Sequence, residues 1–153
     1  MVDEWLVKSN NYNEYNEFIK YNIQSYNIGE VPFLGSQPIQ ITKKYANHII
    51  NTNTFISPKL DGVRYNMFIN NNSLLFINRA GDCFEVNDFE PTCNLNYSII
   101  FDVEIYDKTI FIFDIILYRI KNQLFKIYKK SFTERLSKIL TIYQKSHLVK
   151  YFF

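Results

Sequence analysis

A run of six residues in the first half of the chain combines a lysine with groups that suit phosphate chemistry. It spans Lys59 to Arg64 and reads Lys-Leu-Asp-Gly-Val-Arg. A lysine attacks a phosphorus atom only as the free amine, so its ordinary pKa of about 10.4 must be lowered by a cation, a metal ion or desolvation. Gly62 permits a tight turn, and Arg64 adds a second cation to the same space. The run therefore predicts that Lys59 is a nucleophile beside a phosphate-binding cation.

A pair of carboxylates lies further along, in the apolar stretch from Ser98 to Tyr106. Side chains alternate between the two faces of a strand, so Asp102 and Glu104 are predicted to share one face. Two carboxylates placed in this way can hold a ribose hydroxyl or a metal ion. In the following strand Phe111 and Phe113 also share a face, and either ring can stack on a purine. For Phe111 we expect ordinary core packing instead.

Two helices separated by a loop are predicted before the lysine run. Residues 11–24 place aromatic and aliphatic side chains at helical spacing, and 41–50 have a mixed pattern that favours a short second helix. Between them, 29–38 contain two glycines and two prolines, which indicate a loop.

The chain from residue 54 to residue 118 alternates as strands do. Turn residues separate the strands, and a two-residue connection at 107–108 joins the longest pair, which is typical of an antiparallel meander. A helix should begin at Ser131, which forms a capping box with Glu134 before an apolar stripe. We therefore predict an α+β fold, mainly antiparallel β-sheet with flanking helices. The predicted strands are 54–58, 63–69, 74–78, 83–86, 98–106 and 109–118, with a polar loop at 87–96.

Charge is distributed unevenly along the chain. Residues 118–153 contain nine lysines and arginines and one acid, whereas residues 1–117 contain eight basic and 14 acidic residues. A basic C-terminal third suits a polyanion such as RNA, although the charge alone favours a solvated helical face.

Several other classes of protein do not fit the sequence. The two cysteines, Cys83 and Cys93, and the two histidines, His48 and His147, show neither zinc-ligand spacing nor a disulfide framework. No signal peptide is visible, and acids interrupt the most apolar stretch, so no membrane partner is expected. We expect an intracellular, cytoplasmic location.

The run from Lys59 to Arg64 resembles the nucleotidyl-lysine motif, Lys-x-Asp-Gly-x-Arg, of DNA ligases, RNA ligases and mRNA-capping guanylyltransferases. Upstream, Val31 to Ile39 reads Val-Pro-Phe-Leu-Gly-Ser-Gln-Pro-Ile and is similar to the proline-glycine segment that precedes this motif in capping enzymes. Ligases generally lack that segment, so the resemblance favours a capping enzyme.

Four further stretches resemble motifs of the same family in the same order. One departs from the family, because Val103 replaces the glycine of an Asp-Gly-Glu motif. The four stretches are Phe76 to Arg79, Ile100 to Glu104, Phe111 to Asp114, and Ser131 to Leu136.

The resemblance implies a two-step transfer of GMP. Lys59 would attack GTP to form a lysyl-GMP intermediate, and GMP would then pass to the 5′-diphosphate end of RNA, with Mg²⁺ or Mn²⁺ as the expected cofactor. By the same resemblance, Arg64 and Glu104 would hold the ribose, Arg79 a phosphate and Phe113 the base. The residues expected to support them are Asp61, Gly62 and Asp102.

The resemblance covers residues 31–140, and two later family motifs and an OB-fold domain have no counterpart after Arg135. We therefore expect a single incomplete nucleotidyltransferase domain, which a second polypeptide would complete. Its parts would be an N-terminal helical segment at 1–30, motif-bearing strands at 31–118 and a basic helical segment at 119–153.

Two alternatives stay open at this stage. The chain could be the adenylation part of an ATP-dependent DNA or RNA ligase, or an inactive, truncated capping-enzyme-like subunit that binds RNA. The abundance of residues with AT-rich codons suits a large cytoplasmic DNA virus.

Overall fold

The computed structural model describes residues 5–10, 12–20, 33–35, 38–50, 52–70, 73–86 and 97–145, with only the backbone at 143–145. Three helices, a short 3-10 helix and seven strands occur in these residues. The helices are α1 (Asn13–Lys20), α2 (Lys43–Ile50), the 3-10 helix (Ile127–Lys129) and α3 (Phe132–Lys145). The strands are β1 (Leu6–Ser9), β2 (Val63–Ile69), β3 (Leu74–Asn78), β4 (Cys83–Val86), β5 (Tyr97–Tyr106), β6 (Thr109–Ile120) and β7 (Gln123–Phe125).

All seven strands form one antiparallel sheet in the order β1-β4-β3-β2-β5-β6-β7, which confirms the predicted α+β class. The central pairing joins β2 to β5, with Arg64 opposite Glu104 and Asn66 opposite Asp102. Residues directly opposite in an antiparallel pair project on the same face. This register therefore gathers four polar side chains on one face, at the centre of the sheet.

The two faces of the sheet are covered by different helices. On one face, Ile139 of α3 and Ile127 of the 3-10 helix pack with residues that include Met67 and Val103. On the other face, α1 places Phe18 and its neighbours against a second cluster built around Phe68 and Ile100. Alternation along β2 puts Phe68 on the same face as Arg64. Helix α1 therefore covers part of the face that carries the polar residues and leaves the rest to the candidate site.

The longest hairpin joins β5 to β6 through Asp107 and Lys108, as predicted. Both residues have positive φ, 47° and 61°, which is the conformation of a type I′ turn. The pairing then shifts register twice, between Ile100 and Phe101 and again between Asp102 and Val103. Such bulges re-aim side chains locally, and the second one lies where the candidate site forms.

A buried asparagine attaches the proline-glycine segment to the sheet. The Asn66 side chain is fully buried and donates a hydrogen bond to the Leu34 carbonyl at 2.9 Å. Its Oδ1 accepts one from the Leu34 N–H at 2.5 Å. The amide thus imitates a strand partner and satisfies both backbone groups of Leu34.

The capping box at the start of α3 is confirmed. Glu134 accepts hydrogen bonds from the Ser131 N–H at 2.9 Å and the Ser131 hydroxyl at 2.7 Å. These two bonds lower the pKa of Glu134, so its carboxylate stays charged near the positive end of the helix.

The strand predicted at 54–58 is wrong. These residues form no strand, and Phe55 and Ile56 are 60% and 95% exposed. Pro58 lacks an N–H, and no described strand pairs with this stretch, so its alternating pattern does not become a ladder. Its Phe55 ring instead lies 4.9 Å from that of Phe132 in α3.

The outer segments contain more sheet than predicted. Strand β1 lies within the segment expected to be helical at 1–30, and β6, β7 and the 3-10 helix occupy 119–129 before helix α3 begins. The helices predicted at 11–24 and 41–50 appear as α1 and α2, whereas residues 11 and 21–24 and the loop at 87–96 lie outside the described residues.

No helix in the described ranges combines the length and apolar character needed to cross a membrane.

Replacing Asn66 with alanine should lower the free energy of unfolding by about 1–3 kcal/mol, because the Leu34 N–H and carbonyl lose their partners. Chemical denaturation measures this change. The exposed Asn53→Ala variant is the control and should change stability by less than about 0.5 kcal/mol. An equal, small effect of both substitutions would contradict the role assigned to Asn66.

Candidate active site

A cleft of about 790 Å³ opens on the face of the sheet that carries the polar residues. It gathers seven of the eight residues predicted from the sequence, and Asp61 is the one that does not line it. The predicted residues in its wall come from β2, β5, β6, the turn after β3 and the segment before β2. The lining residues are Pro38, Lys59, Leu60, Gly62, Val63, Arg64, Asn78, Arg79, Ala80, Asp102, Glu104 and Phe113.

The base of the cleft contains a two-point ion pair between Arg64 and Asp102. Arg64 Nε donates to Asp102 Oδ1 at 2.7 Å, and Nη2 donates to Oδ2. The two side chains are only 21% and 8% exposed, so water screens the pair weakly. The hydrogen bond to Asp102 raises the pKa of Arg64, which fixes a permanent positive charge at this position.

The proline-glycine segment lies directly on this ion pair. Gly35 has a φ of 109°, and a β-carbon there would lie 3.0 Å from Asp102 Oδ2 and 3.3 Å from Arg64 Nη2. Glycine is therefore favoured both by the backbone conformation and by the close approach. The adjacent Phe33 ring lies under two guanidinium groups, with its centroid 5.2 Å from Arg64 Cζ and 5.9 Å from Arg79 Cζ.

Gly62 and Glu104 connect the lysine run to β5. The Gly62 N–H donates to Glu104 Oε1 at 2.7 Å. A β-carbon on Gly62 would lie 2.3 Å from the Ile105 carbonyl oxygen, which is closer than atoms can approach without a backbone shift. The glycine thus lets the chain run against β5 at the point where Glu104 fixes it, and the turn beside Lys59 depends on that contact.

Lys59 itself is exposed and forms an ion pair with Asp61. The hydrogen bond and the charge of Asp61 raise the pKa of Lys59, whereas a nucleophilic amine requires a lowered one. The lowering predicted from the sequence is therefore absent from this conformation. Asp61, which was expected to support the site residues, is here the counter-ion that raises the pKa of Lys59.

The second bulge of β6 decides which phenylalanine faces the cleft. Ile112 pairs with Val103 and Asp114 with Asp102, so Phe113 is the extra residue between them. Phe113 lines the cleft. Phe111 pairs with Glu104 and is 36% exposed, so the core packing that we expected for Phe111 is wrong.

An ion pair that the sequence did not suggest lies behind Phe113. Arg135 of α3 donates to Asp114 through Nε at 2.7 Å and Nη2 at 2.9 Å, and its Nη1 donates to the Lys130 carbonyl at 2.6 Å. Its guanidinium also lies 5.6 Å from the Phe132 ring. This network ties the start of α3 to the bulge that carries Phe113. The sequence did contain a signal for this ion pair. Arg135 lies four residues after the helix cap, and Asp114 is a charged residue within an otherwise apolar strand.

The described residues do not build a metal site of their own. No group of three or more histidine, cysteine, aspartate or glutamate side chains comes together in those ranges. Asp102 is already engaged by Arg64, and one Glu104 oxygen by Gly62. The carboxylates of the cleft therefore do not fit a resident cation.

Replacing Asp61 with asparagine should lower the pKa of Lys59, because the variant removes the charge that raises it. Lys59 would then be acetylated faster at a given pH, and its pH profile would shift toward lower pH. Peptide mass spectrometry after brief acetylation measures this rate, with exposed Lys43 in the same sample as the internal reference. An unchanged Lys59 profile would show that Asp61 does not control the amine.

Comparison with known proteins agrees with this geometry. A family model for the mRNA capping enzyme, catalytic domain, matches residues 6–141, which is most of the chain. No individual curated protein matches it. The matched region contains all five cleft-forming elements and α3 as far as residue 141. The chain therefore belongs to the mRNA capping enzyme catalytic-domain family and has a capping-enzyme-like nucleotidyltransferase fold.

Proposed function

We propose that this protein is an mRNA guanylyltransferase that uses Lys59 as its nucleophile. The observation that carries the proposal is the convergence of Lys59, four further charged residues and Phe113 on one cleft in a chain of the capping-enzyme family. A phosphate-reactive amine, fixed cations and an aromatic ring are the groups that a nucleoside triphosphate requires.

GTP would bind with its base against Phe113 and its phosphates near the arginines. Arg79 is exposed, and no described carboxylate forms an ion pair with it, so it can reach a phosphate oxygen. Arg64 is held by Asp102 and contributes charge without needing to move. Glu104 keeps one oxygen on Gly62, and its second oxygen can accept a ribose hydroxyl.

In the first step, neutral Lys59 Nζ attacks the α-phosphorus of GTP. A nitrogen–phosphorus bond forms, the bond from the α-phosphorus to the bridging oxygen breaks, and pyrophosphate leaves with the electron pair. The attacking nitrogen then gives up one proton to solvent, which leaves a phosphoramidate. The triphosphate would enter as its Mg²⁺ or Mn²⁺ complex, so the cation is part of the substrate. In the second step, a terminal phosphate oxygen of 5′-diphosphate RNA attacks the same phosphorus and the nitrogen–phosphorus bond breaks. The nitrogen takes a proton from solvent and leaves as the neutral amine of Lys59.

The protonation state of Lys59 is the chemical obstacle in the first step. Its amine must lose a proton, and the contact with Asp61 opposes that loss. We propose that the contact opens when GTP binds, because the carboxylate and the triphosphate are both negative and repel each other. The divalent cation that enters with GTP would then favour the neutral form of the freed amine.

Incubation with α-³²P-labelled GTP and Mg²⁺ tests the proposal. We expect label that survives denaturation and alkali but not acid, as a phosphoramidate does. Lys59→Arg should abolish the label, because the guanidinium stays protonated. The exposed Lys43→Arg variant is the matched control and should keep it.

The same assay with α-³²P-labelled ATP distinguishes GMP transfer by a capping enzyme from AMP transfer by a ligase. Labelling by ATP and not by GTP would assign the chain to ligase chemistry. Absence of label from both nucleotides would contradict covalent catalysis by this chain.

A further inference from the structure

A group of lysines surrounds one aromatic side chain at the outer edge of the sheet. We name it the basic edge, and its members are exposed: Lys121, Lys126, Tyr128, Lys129 and Lys130. Among the residues that the structure describes, no carboxylate forms an ion pair with any of the four lysines. Glu134 partly offsets the charge of Lys130, which helps to lower the pKa of that carboxylate without forming an ion pair with it.

Buried contacts hold the basic edge in a defined shape. Ile127, at the centre of the lysines, is buried in the main core cluster and anchors the 3-10 helix. Phe125 stacks on Tyr118 with ring centroids 4.7 Å apart, which fixes β7 against β6. Because alternate residues are anchored in this way, Lys126 and Tyr128 project outward from a fixed backbone.

The basic edge is connected to the candidate active site. The Lys130 carbonyl accepts a hydrogen bond from Arg135, and Arg135 pairs with Asp114. Asp114 directly follows Phe113, which lines the cleft. These contacts join the basic edge, through the start of α3, to the residue next to Phe113.

We propose that the basic edge binds the single-stranded RNA whose 5′ end enters the cleft. The lysines would contact successive phosphates, and Tyr128, 43% exposed, would stack on a base. The identity of the polyanion rests on the proposed function. An anionic membrane surface is the less favoured ligand, because the central apolar residue, Ile127, faces the core and not the solvent.

The test is fluorescence anisotropy with a labelled, unstructured 5′-diphosphate RNA between about 50 and 200 mM salt. The triple variant Lys126→Gln, Lys129→Gln, Lys130→Gln should bind about tenfold or more weakly at low salt. Its slope of log affinity against log salt should fall by about two, because each phosphate contact to a single strand contributes about 0.7.

A matched triple variant removes three exposed lysines elsewhere: Lys20→Gln, Lys43→Gln and Lys44→Gln. Its affinity and slope should stay near those of the parent protein. Equal losses in the two triple variants, or no loss in either, would overturn the proposal. Circular dichroism of each variant confirms that it is folded before binding is measured.

Substitution of Tyr128 separates stacking from charge. Tyr128→Leu should lower affinity by about fivefold or more and leave the salt slope unchanged, since stacking displaces no counter-ions. Tyr106→Leu, at an aromatic residue with similar exposure, is its control and should bind as the parent does. A changed slope in Tyr128→Leu would contradict the stacking role.

Two further arms separate this proposal from its alternatives. Binding to phosphatidylserine–phosphatidylcholine vesicles without binding to RNA would overturn it in favour of a membrane surface. Transfer of GMP from GTP to Lys59 is measured on the same samples. RNA binding by the basic edge does not require GMP on Lys59. A parent protein that binds RNA through the basic edge but takes no GMP would sustain this inference while the guanylyltransferase proposal fails.

Discussion

The ion pair between Arg64 and Asp102 is the contact on which the candidate site depends. It joins the two central strands on a diagonal, because Arg64 lies opposite Glu104 in the register while Asp102 lies opposite Asn66. Because Arg64 pairs diagonally with Asp102, Glu104 can accept a hydrogen bond from the Gly62 N–H, and Asn66 can bond to the backbone of Leu34. Removing one partner of so buried a pair generally costs about 3–5 kcal/mol, since the other charge is left without compensation. One interaction thus orders the lysine run, β5 and the proline-glycine segment together.

The cleft contains one buried ion pair, which is held in place, and one exposed ion pair, which a ligand can separate. Arg64 is immobilised at its base, whereas Lys59 and Asp61 form an exposed pair that water screens and a ligand can open. A ligand can therefore move the Lys59 amine without disturbing the strands. The raised pKa of Lys59 belongs to the closed pair, and reactivity would require that pair to separate.

The sequence predicts most of the site because its residues lie on regular strands. The two-residue alternation of β5 correctly placed Asp102 and Glu104 on one face. Gly62 was predicted to permit a tight turn, and in the structure it permits a close approach to β5. The orientation of Phe113 could not be predicted in the same way, because a bulge adds a residue that periodicity does not reveal. Residues 54–58 have the alternating pattern of a strand but no neighbouring strand to pair with. Whether a partner strand is present depends on the whole sheet and cannot be read from the local sequence. The network of Arg135 with Asp114 joins residues 21 positions apart and needed the fold to become visible.

The central claim is that Lys59 becomes covalently attached to GMP in the cleft. Peptide mapping by tandem mass spectrometry after incubation with GTP and Mg²⁺ measures this attachment most directly. We expect a mass increase of one GMP unit on the peptide that contains Lys59, with fragment ions that locate it on the lysine nitrogen. A GMP adduct on another lysine, with the Lys59 peptide unmodified, would contradict it.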